Sequence, residues 1–142
     1  PTKTKSVSSM RQAEIPSEPP KTLYELERIW RSMKDRPDLF AQYLAIFKKS
    51  TFKKVAKESL SSELLTCLFV ALRDHAASNV ILTVLDGLTQ TSGFSMMVHL
   101  LPAGDTLCMQ SIFAKLLIDG EVSSSSGKLE EVNSLKKKYG LA

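Results

Sequence analysis

The chain has two cysteines, two histidines, six glycines and one tryptophan in 142 residues, and each scarcity removes a class of function. Cys67 and Cys108 lie inside apolar runs, with no Cys-x-x-Cys pair and no histidine at ligand spacing. That argues against a disulfide framework and a zinc cluster, and predicts buried free thiols in a reducing compartment. The glycines are isolated, so no phosphate-cradling loop is expected. His75 and His99 have no serine or cysteine nucleophile motif beside them, Pro102 and Gly104 separate His99 from Cys108, and Asp35, Asp38 and Asp119 stand where helix ends use carboxylates as caps. No catalytic residue, cofactor or metal is expected. No apolar run of about 18 residues is present for a membrane span, and no charged-then-apolar leader opens the chain, so the expectation is a soluble cytoplasmic protein with no membrane partner. Pro1 in place of Met reads as a fragment of a longer protein.

What is present points to helices. At 43% hydrophobic content the chain can bury one core, and long leucine-bearing segments with few glycines predict an all-α fold, a compact bundle of about seven to eight short helices in one domain. Residues 1–21 read as a disordered linker: proline, serine and basic residues dominate, and Val7, Met10 and Ile15 are too scattered to repay ordering. The domain is then 22–142. It opens on Thr22-Leu23-Tyr24-Glu25, a capping box in which the threonine oxygen accepts from the Glu25 N–H and the glutamate reaches back.

Apolar spacing predicts a helix from Leu23 to about Lys34 with Trp30 on its core face, and a second from Pro37 to about Phe47 that turns Tyr43 and Leu44 inward. A short helix follows Ser50. Ser61 and Ser62 cap a fourth whose stripe includes Leu68, and Ser78 or Asn79 opens a fifth, read as a helix despite its Val and Ile content. Asp105 is expected to cap the seventh, with Phe113 inward and Gly120 at its end. Ser123 to Gly127 reads as a flexible loop. The last helix runs from Leu129 to Tyr139, with Gly140 as its C-terminal cap.

The sixth segment, Gly93 to Leu101, holds too many large apolar residues for one face. Phe94, Met97, Val98 and Leu101 make a core stripe at i, i+3, i+4, i+7, which leaves Met96 and Leu100 on a second stripe with Gly93 one turn below and His99 beside them. One reading buries the helix all round. The other makes Met96 and Leu100 an adaptable partner-binding ridge.

The net charge of +4 and pI of about 9.1 permit a nucleic-acid partner without demanding one. Lys48, Lys49, Lys53, Lys54 and Lys57 form the strongest cluster. Without arginine or an interleaved aromatic it reads first as a solvated face, so nucleic acid is the alternative function and a minor one.

Leu23-Tyr24-Glu25-Leu26-Glu27-Arg28-Ile29-Trp30, then Tyr43-Leu44 after a proline, Phe94-Ser95-Met96-Met97-Val98, and Leu135-Lys-Lys-Lys-Tyr139-Gly140 come in an order that resembles the C-terminal domain family of RNA polymerase II-associated protein 3 and sperm-associated antigen 1. The resemblance covers Thr22 to Gly140. It implies a helical bundle that binds RuvB-like AAA+ ATPases, chiefly the second paralogue, as the adaptor module of a co-chaperone. Upstream tetratricopeptide repeats, absent from these residues, would hold a heat-shock chaperone, and the whole would serve assembly of complexes such as axonemal dynein arms or RNA polymerase. The family's binding helix carries Arg-Phe-x-Met-x-x-x-Phe. By that likeness Met96 is the methionine, Phe94 the first aromatic, Leu100 stands at the second aromatic and Gly93 at the arginine. A monomeric domain, with nuclear shuttling, fits this picture.

Overall fold

The computed structural model describes residues 15–55, 60–91 and 93–141. Thr22 opens the first helix as its spacing predicts, its oxygen accepting from the Glu25 N–H at 3.1 Å. The Glu25 carboxylate reaches one residue further back than a standard box, taking the Lys21 N–H at 2.8 Å. Helix α1 (Leu23–Ser32) buries Leu26, Ile29 and Trp30. Residues 1–14 of the expected linker, with Val7 and Met10, lie outside the described residues, but Ile15 packs part-buried on the core and Pro20 is buried. The chain thus meets the core ahead of Thr22.

Pro37 occupies the first turn of α2 (Pro37–Leu44), where its missing N–H costs nothing. This helix stops short of Phe47, because the chain turns to start α3 (Lys49–Val55), with Thr51 Oγ1 accepting from the Lys48 N–H at 2.9 Å. Ser61 caps α4 (Ser62–His75) through the Leu64 N–H, and α5 (Ser78–Leu88) is a helix, its Val and Ile notwithstanding. Ser78 is not the cap of α5. Its hydroxyl donates to Asp119 across the fold, and Ala77 holds the cap position without a side-chain bond.

Three expectations at the C-terminal side are corrected. Helix α7 (Ala103–Ile118) begins two residues before Asp105, with Pro102 at its cap; Asp105 lies in the first turn and faces Thr66 instead. Gly120 does not simply end it, since Asp119 caps a further short helix, α8 (Gly120–Ser123). Ser123 to Gly127 is not a loop throughout. Ser125 accepts from the Lys128 N–H at 3.3 Å and starts α9 (Ser126–Lys138) three residues earlier than expected. Serine-rich composition suggests a loop, but a serine oxygen placed three residues before a free N–H is also a helix cap. Gly140, at φ 74°, closes α9, with Leu141 N–H on Lys136 O and Gly140 N–H on Lys137 O, both at 3.0 Å.

Helix α4 is the central strut, packed by α2 on one side and α7 on the other; α3 packs on α5, and α9 closes against α5, α7 and α8. Lys115 ties α7 to the end of α4 by donating to the carbonyls of Arg73 and Ala76 at 3.1 and 2.8 Å. Tyr43, Leu44, Leu68, Phe113 and Trp30 are buried in one continuous core with Phe40, Phe52 and Phe69. All described elements are helical. None of these helices is long and apolar enough to cross a membrane.

Candidate functional site

Helix α6 (Phe94–His99) is a single short turn set on the rim of the bundle, and its position is fixed from the C-terminal end of the chain. Phe94 stands edge-on to the ring of Tyr139, centroids 5.0 Å apart and planes at 84°. Tyr139 is in turn anchored by its hydroxyl, which donates to the Leu85 carbonyl at 2.6 Å in the interior. Gly93 enters the helix at φ 76°. Few residues other than glycine hold that left-handed geometry cheaply.

On this helix the two stripes separate. Phe94, Met97, Val98 and Leu101 are part-buried against the core, so Phe94 and Met97 flank the interior and are not fully inside it. Met96 and Leu100 are 62% and 69% exposed. Burial on all sides is therefore excluded. His99 and Gly93 are exposed beside them. Tyr24, Leu107 and Ile118 are also exposed, but on other elements.

Met96 and Leu100 border an apolar groove of about 200 Å3, whose other walls are Leu60 just ahead of α4, Leu65 within it, and Met97, Leu101 and Pro102. Ser62 and Asp105 complete the lining. Sequence reasoning named one wall of this groove and missed the other, since Leu60, Leu65 and Asp105 come from segments that periodicity treats separately. The only available signal was that Asp105 sits after a proline already able to stop one helix and start the next.

The basic cluster is less free than its composition suggests. Lys48, Lys49, Lys53 and Lys54 are exposed, and Lys57 lies outside the described residues. Lys49 sits 3.5 Å from Glu131 and 3.4 Å from Asp86, and the Glu131 charge foremost raises its pKa. A larger cleft of about 720 Å3 adjoins it between α5, α8 and α9, where Lys49 meets Glu131 and Asp119 accepts from the Ser78 hydroxyl.

Cys108 is buried, and that burial raises its thiol pKa, which keeps it unreactive. Cys67 is only part-buried, a correction to the expected pair of buried thiols, because its helix position faces the rim beside Trp30 and Val70. His75 and His99 are both exposed, and among the described residues no group of three His, Cys, Asp or Glu could hold a metal ion.

Residues 19–106, more than half of the chain, match the family described as "Potential Monad-binding region of RPAP3". The chain belongs to that family. Curated relatives include RNA polymerase II-associated protein 3 of Xenopus tropicalis, 29% identical over 128 residues, and of Xenopus laevis, 28% identical over 126. Each match covers 86% of this chain but 18% of the relative, so the chain spans under a fifth of their length. The NMR structure of the C-terminal domain of the human RPAP3 protein has a similar fold, with a TM-score of 0.65 and 22% identity over 88% of this chain and 90% of that one. The RPAP3 family match runs from ahead of α1 into the first turn of α7, so Gly93, Met96, His99, Leu100 and Asp105 all fall within it. As a member of the RPAP3 C-terminal family the chain is an all-helical protein-interaction domain. Gly93, where the resemblance expects arginine, sits at φ 76°, a conformation in which a side chain costs about 1 to 2 kcal/mol.

Proposed function

We propose that this domain is a non-enzymatic co-chaperone adaptor module that docks onto a RuvB-like AAA+ ATPase, the second paralogue being favoured, through the ridge of Gly93, Met96, His99 and Leu100. It acts as a monomer in the cytoplasm. In the complete protein, upstream tetratricopeptide repeats would hold a heat-shock chaperone, so that chaperone and ATPase are brought together for complex assembly. The observation that carries this reading is the exposure of Met96 and Leu100, at 62% and 69%, beside an apolar groove on a helix whose opposite face is spent on folding. Burying two such anchors contributes roughly 1 to 2 kcal/mol each. A second reading takes Monad as the partner, favoured by the family description.

The test is a pull-down from purified components with Met96→Ala combined with Leu100→Ala, after circular dichroism shows the variant folded. Capture of the ATPase is expected to fall at least about tenfold. Undiminished capture would sink the site assignment. Running the same variant with Monad separates the two readings, since only the true occupant of the ridge responds to it.

A further inference from the structure

Among the described residues the groove beside the ridge holds one charged group, and it is placed where a surface carboxylate does not usually sit. Asp105 is 6% exposed and lines the groove from the first turn of α7. Both its oxygens lie 3.0 Å from Thr66 Oγ1, which is also 3.0 Å from the Ser62 carbonyl. A hydroxyl carries one proton, so three acceptors share a single donor. The positive end of α7 favours an anion there. Among the described residues no lysine, arginine or histidine lines the groove to neutralise it.

An occupant of the groove would remove the remaining water from Asp105. Burying a carboxylate further without a compensating partner is costly, and the cost falls on any purely apolar or acidic ligand. A cation relieves it. We infer that the groove takes a partner segment in which a lysine or arginine stands next to a large apolar side chain, the side chain filling the space beside Met96 and Leu100 and the cation pairing with Asp105. The inference rests on the docking reading above and names the partner chemistry that reading requires.

It is tested with the 142-residue chain and a displayed library of random twelve-residue peptides, without the ATPase. Selected peptides are expected to pair a basic residue with a large apolar one. Changing that basic residue to glutamine should weaken binding at least about tenfold, and so should Asp105→Asn in the folded domain. Thr66→Val, which removes the competing hydroxyl, should preserve the basic preference. If Asp105→Asn fails to fold, the peptide-side substitution against the unaltered domain decides. Selected peptides without a basic residue, an affinity unmoved by the glutamine change, or no peptide displaced by Met96→Ala with Leu100→Ala would each overturn the inference. Failure of the docking reading itself looks different: ATPase capture that the double variant leaves intact.

Discussion

Tyr43 and Trp30 put polar atoms, Oη and Nε1, into the core with no hydrogen-bond partner among the described residues. For Tyr43 this is a net cost, because its hydroxyl gives up water and receives nothing, and the same burial pushes its pKa up. The ring itself is well used. It stands edge-on to Phe47 with centroids 4.9 Å apart. Tyr43→Phe keeps that contact and removes the unpaired hydroxyl, so stability is expected to stay level or rise by up to about 1 kcal/mol, read by urea unfolding. A loss of that size instead would show that the hydroxyl has a partner. Tyr139 is the contrast, its buried hydroxyl donating to Leu85 O. Sequence cannot tell these two tyrosines apart, since both lie on apolar stripes and differ only in which carbonyl the fold brings near.

Helix α5 and helix α3 approach closely at Gly87. A Cβ there would stand 2.9 Å from Phe52 Cδ2 and 3.1 Å from the Lys49 carbonyl oxygen. Phe52 is fully buried and the carbonyl is backbone, so neither neighbour yields easily. Alanine gains about 1 kcal/mol of helix propensity over glycine, but overpacking of this kind costs about 1 to 3 kcal/mol. Gly87→Ala is therefore expected to destabilise, whereas Gly104→Ala, with nothing within 4 Å, is expected to be neutral or stabilising. Thermal unfolding of the pair checks both signs, and equal shifts would remove the close-approach argument. Helix α6 too is held by a contact distant in sequence, Phe94 standing edge-on to Tyr139 near the far end of the chain.

For the molecule as a whole, acid is the informative stress. Asp38 is lowered to about 2, first by its hydrogen bond from Arg36; Asp74 is lowered chiefly by Arg73, and Asp119 chiefly by the Ser78 hydroxyl. A carboxylate with a depressed folded pKa stabilises the fold at pH above its ordinary value of 3.8, and that contribution is lost as pH falls toward the folded value. All three groups face solvent, so screening keeps each contribution modest. The urea midpoint is expected to hold from neutrality to about pH 4 and then to fall toward pH 2, with Asp38→Asn flattening part of the drop. A midpoint that fell equally in the variant would show that the Arg36 pair contributes nothing.

Much of this architecture was legible in the residues. Thr22, Pro37, Ser61 and Gly140 mark helix ends by chemistry local to each position, and the period of apolar residues fixes which face of each helix turns inward. The two stripes on Gly93 to Leu101 were legible for the same reason. What local chemistry cannot express is the meeting of distant segments. Asp105 looked like a cap until the fold set it against Thr66, and the groove exists only because Leu60 and Leu65 are brought opposite Met96 and Leu100. Helix ends and faces depend on neighbours within a turn or so of chain, whereas a groove depends on which faces pack together, and that is decided by the whole core at once.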